Sequence, residues 1–230
     1  MPDDKDILMV RIRSIGVVQK RFNINKNMFE IYDAGGQRSE RKKWMHHFGN
    51  VQAVIFVAAL NHYCARLFED ETVNGMHESI RLFATICNEK HFEKTEMILF
   101  LNKNDLFRDR LSEGTTLRSC FHQTAGWDGE QWDKDTKDPT AEYEVMDYVP
   151  NATGASNDAA GAQEDSELFE QSYAHSVSFI QRQYSMVKEN TAKLLYVHVT
   201  TATNKENVSK VFWDVQNMII RKNLLRGGIV

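Results

Sequence analysis

Two short runs of almost unbroken apolar residues, 51–60 (VQAVIFVAAL) and 96–101 (EMILFL), constrain the fold more than any other feature. A strand with one face in water alternates polar and apolar side chains, whereas a strand covered on both faces by helices does not need to. Between the runs, residues 72–91 carry Met76, Ile80, Phe83 and Cys87 at spacings of three and four, the period of a helix with one buried face. Strand, helix and strand in alternation are the mark of an α/β sandwich, a sheet with flanking helices. A third apolar strand is expected at 194–199 (LLYVHV), after a helix near 164–188. A closing helix is expected over 205–225, burying Val208, Val211, Phe212, Val215, Ile219 and Leu224. Upstream, 17–24 (VVQKRFNI) and 28–33 (MFEIYD) alternate and flank the turn-like Asn25-Lys26-Asn27, which predicts a hairpin.

The stretch 127–170 differs in character: thirteen Asp or Glu face only Lys134 and Lys137, and two of the three prolines, Pro139 and Pro150, lie within it. With the small-residue run NATGASNDAAGA, this composition marks 122–162 as an acidic, largely disordered surface insertion in one domain spanning 1–230; a functional acidic segment is the alternative. A net charge of −4 supplies no field to attract a phosphate backbone, so nucleic acid is not the expected partner. Cys64, Cys87 and Cys120 form no CxxC pair, which argues against a disulfide framework or a zinc knuckle. No apolar run reaches the roughly 18–20 residues of a membrane span, so a cytoplasmic protein that meets membranes only peripherally is expected.

Three motifs sit at predicted strand ends, where α/β folds place ligands. In Asp33-Ala34-Gly35-Gly36-Gln37, an Asp can hold a water on magnesium and Gly36 lets a backbone N–H approach a terminal phosphate. In Asn102-Lys103-Asn104-Asp105, the Asp105 carboxylate can accept from N1–H and the 2-amino group of guanine, a pairing adenine does not offer. Lys103 can lay its stem along the base, and Asn102 can tie neighbouring loops together. In Thr200-Thr201-Ala202-Thr203, backbone N–H groups can donate to the guanine carbonyl. Each motif alone also fits an ordinary polar turn. Their order along the chain, each bearing the group its place requires, points to a guanine nucleotide site.

Residues 31–48 (IYDAGGQRSERKKWMHHF) resemble the second switch of heterotrimeric G-protein α subunits, and the resemblance runs over about 6–111 and 167–230. It implies a Ras-like P-loop NTPase sheet, GTP or GDP with Mg2+ as cofactors, and a GTP-hydrolysing switch between G-protein-coupled receptors and effectors. This family is itself the standard case of phosphoryl transfer with an arginine supplied in cis and a glutamine orienting water, roles that fall on Arg11 and Gln37. The implied nucleotide contacts are Leu8, Met9, Arg11, Ser14, Asp33, Ala34, Gly35, Gly36, Gln37, Asn102, Lys103, Asp105, Thr201, Ala202 and Thr203. Ser14 stands where the family has a threonine ligand to magnesium, and Asp33 reaches the metal through water. Lys42, Lys43, Trp44 and His47 match the surface presented to the βγ dimer; Trp44 packed against 72–91 is the alternative. The terminal helix resembles the receptor-contacting element, which places the chain at the cytoplasmic face of the plasma membrane as part of a heterotrimer.

The chain holds no GxxxxGK[ST]. That loop, its serine ligand to magnesium and the central strand leading into it are expected before Met1, as are the family's helical domain and amino terminus. Two readings follow: a portion of a working GTPase, or a non-catalytic βγ- or receptor-binding module.

Overall fold

The structure is a computed structural model that describes Asp3, Asp6, residues 14–24, 26–44, 51–121, Tyr148, Pro150 and 159–228. Its chain divides into two compact units, Met1–Ala53 and Val54–Val230.

In the first unit, β1 (Val17–Ile24) and β2 (Asn27–Ala34) pair antiparallel, with Val17 opposite Ala34 and Ile24 opposite Asn27. The hairpin agrees with the sequence expectation, and β2 is one residue longer at each end than the alternation indicated. Lys26 in the turn has a φ of 66°, the left-handed conformation that lets a two-residue turn follow the strands' own twist. The pairing continues past the strands, because Gly35 N–H donates to the Gly16 carbonyl at 2.9 Å.

In the second unit, β3 (Ala53–Ala59), β4 (Glu96–Asn102) and β5 (Leu195–Val199) form a sheet in the order β3-β4-β5. The boundary between the units falls at the first residue of β3. β4 and β5 run parallel, Met97 opposite Leu195 and Leu101 opposite Val199. Around them are α1 (Gly75–Cys87), α2 (Asn104–Ser112), the single turn α3 (Arg118–Phe121), α4 (Ala159–Met186) and α5 (Lys205–Arg226). Central β4 is buried on both faces, and Met97, Ile98, Leu99 and Leu101 are fully enclosed. The α/β class, a sheet with flanking helices, is therefore as expected. The described strands fall into two sheets, the hairpin and the three-stranded one.

Met76, Ile80, Phe83 and Cys87 all point into the core, as their spacing predicts. Phe83 meets Phe56 of β3 edge-on at 5.3 Å between ring centres, and Tyr184 of α4 at 5.4 Å. The helix starts at Gly75, three residues later than expected, because Asn74 caps it: Oδ1 accepts from Met76 N–H (2.8 Å) and His77 N–H (3.1 Å). Beyond its other end, buried Lys193 donates from Nζ to the Cys87 carbonyl at 2.9 Å and the Phe92 carbonyl at 2.8 Å. A cation there meets the negative end of the helix dipole and satisfies an otherwise orphaned carbonyl.

Three expectations need correction. The β3 run is not covered on both faces, for Ile55 and Val57 are 40% and 58% exposed while Phe56 and Ala58 are buried. α1 and α4 cover the Phe56 side of this edge strand, and its apolar alternates stay open. α5 buries Val211 and Val215, leaves Phe212 and Ile219 half-buried, and exposes Val208 and Leu224; Gln216 is enclosed instead. α4 begins at Ala159, inside the span assigned to the insertion. Tyr148, also in that span, is buried: its ring meets Phe169 at 5.2 Å and its hydroxyl donates to Asp165 at 2.8 Å. The rest of 122–158, Pro150 aside, lies outside the described residues. Cys87 and Cys120 are buried and Cys64 half-buried, all three free, with burial raising each thiol above its ordinary range.

α2 and α4 are clamped together by Arg108. Its guanidinium pairs with Glu170, Nη1 to Oε2 at 3.1 Å and Nη2 to Oε1, and stacks 4.5 Å from the Tyr173 ring centre and 4.9 Å from Phe169. That holds the helix following the second motif in place.

Candidate functional site

The proposed site residues fall in both units. Leu8, Met9, Arg11 and His47 lie outside the described residues.

In the first unit, Ser14, Asp33, Ala34, Gly35, Gly36, Gln37, Lys42, Lys43 and Trp44 belong to one local structure. Asp33 is exposed near the end of β2, opposite Val18. The backbone bond between Gly35 and Gly16 brings the segment after β2 against the segment before β1, which carries exposed Ser14. The contact is so close that a Cβ on Gly35 would stand 2.6 Å from the Ser14 carbonyl oxygen, so only glycine fits. At Gly36, by contrast, a Cβ would meet nothing within 4 Å. Within this fold, then, the steric demand for glycine lies at Gly35.

Residues 41–44 form a 3-10 turn directly after this loop. Trp44 is half-buried, and its Nε1–H donates to the Gly35 carbonyl at 3.0 Å. The polar edge of the indole is engaged with the glycine loop. Glu40 Oε2 accepts from Gly16 N–H at 2.6 Å and from Lys43 Nζ at 2.7 Å. Gln37 is half-buried, and its Oε1 is enclosed without a hydrogen-bond partner among the described residues. An enclosed acceptor left empty is costly, and a water or ligand donor arriving there would relieve it.

In the second unit, the second and third motifs meet at the ends of β4 and β5. Asn102 Oδ1 accepts from Thr200 Oγ1 at 3.1 Å and from Ala202 N–H at 2.9 Å. Asn104 N–H donates to the Thr200 carbonyl at 3.1 Å, and Thr200 N–H to the Leu101 carbonyl at 2.8 Å. Asn102 thus ties the two loops, as its position suggested. Lys103 between them has φ 62° and ψ 39°, left-handed and uncommon for a residue with a Cβ. This conformation turns the chain from β4 into α2, whose first turn presents Asp105, exposed.

The third motif differs from expectation in one respect. Ala202 N–H is given to Asn102, and Thr201 N–H donates to Asn207 Oδ1 at 2.9 Å. Two of the amides proposed for the guanine carbonyl are therefore satisfied internally in this structure. Ala202 and Thr203 are exposed and Thr201 half-buried.

Several supporting residues were not identified from sequence. Asn207 holds Thr201, while Asn204 Oδ1 accepts from Asn207 N–H at 2.9 Å. Asn-x-x-Asn before a helical apolar period is a helix-start signal, and it was available in the letters. Tyr173 donates to Asn104 Oδ1 at 2.8 Å from 69 positions away, and no local pattern announces it. Glu40 also belongs to this supporting set.

Among the described residues no group of three or more His, Cys, Asp and Glu is placed to hold a metal. Ser14 and Asp33 offer one hydroxyl and one carboxylate, hard oxygen donors of the type magnesium takes when phosphates and waters complete its shell. The donor set therefore fits that ion. Among the same residues no helix is long and apolar enough to cross a membrane.

Comparison with known proteins identifies the family. The family model described as G-protein alpha subunit matches residues 1–219. The guanine nucleotide-binding protein alpha-2 subunit of Caenorhabditis briggsae is 38% identical over 228 residues, covering 99% of this chain and 52% of the relative. The guanine nucleotide-binding protein G(o) subunit alpha of Locusta migratoria is 37% identical over the same shares of both chains. The chain spans about half the length of the curated relatives it matches.

Proposed function

Because the chain belongs to the family of G-protein alpha subunits, we propose that it supplies the guanine-recognising and switch portion of a GTP-hydrolysing transducer. The observation that carries this is the knot at the ends of β4 and β5, where Asn102 binds both Thr200 and Ala202 and leaves Asp105 exposed. A carboxylate there reads the Watson–Crick edge of guanine, and the left-handed Lys103 sets the turn that presents it.

On the phosphate side, Ser14 and Asp33 would hold magnesium, the latter through water. When bound, that ion screens the charge of the β- and γ-phosphates. Gln37 orients the attacking water, once its Oε1, enclosed in this structure without a partner among the described residues, turns outward to accept from it. Arg11 neutralises charge building on the γ-phosphoryl oxygens, and Leu8 and Met9 flank the nucleotide beside it. Gly36 leaves open space for a phosphate oxygen to approach its backbone. The 230 residues hold no GxxxxGK[ST] loop for the α- and β-phosphates, and the chain spans 52% of the length of the alpha-2 subunit of Caenorhabditis briggsae.

The partners that follow are a βγ dimer at Lys42, Lys43, Trp44 and His47, and a receptor at α5, at the cytoplasmic face of the plasma membrane. The second reading, a non-catalytic βγ- or receptor-binding module, draws on the absence of GxxxxGK[ST] from the 230 residues. GTP binding and hydrolysis should be measured on the chain alone and on the chain joined to the upstream half of a relative. Hydrolysis in the joined protein supports the GTPase reading. No GTP binding in the joined protein, with βγ binding by the chain alone, would establish the module.

A further inference from the structure

We infer that Glu40 is a positioning residue that fixes the segment bearing Ser14 against the loop bearing Gln37. This inference rests on the GTPase reading for its consequence, though its geometry does not. Three hydrogen bonds close one small ring of structure. Gly35 N–H donates to the Gly16 carbonyl (2.9 Å), Gly16 N–H returns to Glu40 Oε2 (2.6 Å), and Trp44 Nε1–H donates to the Gly35 carbonyl (3.0 Å).

The Glu40 side chain is only 12% exposed, and its carbons lie over Gly35, where a Cβ would come within 3.1 Å of Cγ. Its carboxylate carries the only one of these contacts that joins the pre-β1 segment to the switch through a side chain. A backbone N–H bound to a largely enclosed carboxylate is a charge-assisted bond, stronger than its neutral counterpart. Lys43, 2.7 Å from the same oxygen, balances the charge and orients the carboxylate. Gly16 has a φ of 73°, a conformation only glycine adopts freely, so its amide direction is set by backbone geometry. Ser14 lies two residues before Gly16 and Gln37 two residues after Gly35, so each candidate group is held by the ring at short range. Loosening the ring lets the metal ligand and the water-orienting amide drift independently, and small misplacements of reacting groups cost rate steeply.

The test compares wild type, Glu40→Ala and Glu40→Gln. In the 230-residue chain, amide hydrogen exchange at Gly16 should accelerate about tenfold in E40A. E40Q keeps an oxygen acceptor and should hold Gly16 exchange within about threefold of wild type, although the Lys43 ion pair is lost. In the GTP-loaded joined protein, single-turnover hydrolysis should fall about tenfold in E40A and recover largely in E40Q. Unchanged Gly16 exchange in E40A would refute the latch, as would E40Q exchanging as fast as E40A. If E40A does not fold, Glu40→Asp, whose shorter side chain cannot reach the Gly16 amide from the same backbone position, takes its place: faster Gly16 exchange supports the latch and unchanged exchange refutes it. Faster exchange in E40A with unaltered hydrolysis overturns the positioning role. Absence of any GTP binding by the wild-type joined protein refutes the GTPase reading and leaves the exchange result standing.

Discussion

Replacing Asn102 with alanine removes the side-chain acceptor that joins the ends of β4 and β5 and leaves the backbone bonds of Thr200 to Leu101 and Asn104 in place. Two hydrogen bonds converge on Oδ1, from Thr200 Oγ1 at 3.1 Å and Ala202 N–H at 2.9 Å. Each is a bond of ordinary geometry at a half-buried side chain, contributing about 1 kcal/mol, so Asn102→Ala should destabilise the second unit by roughly 2 kcal/mol. Thr200→Val removes one of the two and should cost about 1 kcal/mol. Because both variants delete the same bond, the double variant should cost less than the sum by about 1 kcal/mol. Asn102→Asp keeps Oδ1 and should stay within about 0.5 kcal/mol of wild type. Urea denaturation of the four proteins measures these values, with the slope of free energy against urea checked for constancy. Exchange of the Ala202 amide reads the local opening. A cost below about 0.5 kcal/mol for Asn102→Ala, or strict additivity with Thr200→Val, would show that the two loops are held by something else.

Lys193→Met should cost about 2 kcal/mol in the same assay, because the carbonyls of Cys87 and Phe92 lose a cationic donor. Arg108→Ala should cost about 1–2 kcal/mol, nearly independent of salt, since stacking on Tyr173 and Phe169 outweighs an ion pair screened by solvent. His198 should make the protein acid-sensitive. Burial holds its imidazole below the ordinary value of 6.5, with the Asp214 carboxylate pulling the other way. The unfolded chain then binds that proton at higher pH than the folded one, so stability is lost as pH falls through about 6.5, at less than about 1.4 kcal/mol per pH unit. A His198→Gln variant that keeps the full acid sensitivity would clear this residue of the effect. In the GTP-loaded joined protein, Gln37→Leu should leave binding intact and slow single-turnover hydrolysis by orders of magnitude; unchanged turnover would remove Gln37 from the chemistry.

How far such residues can be read from sequence depends on where their partners lie. The hairpin, α1 and β4 were legible because their apolar periods of two, of three to four, and of one follow from what each face touches. β3 misled because a run without polar letters states that both faces tolerate burial, not that both are covered; Ile55 and Val57 remain open. The α5 stripe misled in a related way. Val208 and Leu224 lie on the periodic face but beyond the part of the helix that Val211 and Val215 anchor. At 159–162 the small residues AAGA suggested disorder, yet alanine is the strongest helix former, and ahead of QEDSELFEQ it extends the helix.

The candidate site shows the same division more sharply. Asp33, Gln37, Asn102 and Asp105 stood out because reading guanine or orienting a water demands particular functional groups at strand ends, whatever the rest of the chain does. The groups that hold them answer to no such demand. Tyr173 reaches Asn104 across 69 positions, and Thr200 reaches Asn102 across 98. Any donor of suitable length at either place would serve, so the letters carry little of the information. Glu40 is the intermediate case. Its partner Gly16 is 24 positions away in sequence, but the hairpin register fixes that distance in space. Once Val17 is set opposite Ala34, Gly16 must face Gly35, and a carboxylate five residues past Gly35 in a tight turn can return to it. The latch was therefore implicit in two readings made separately, the hairpin and the switch, and only their combination reveals it.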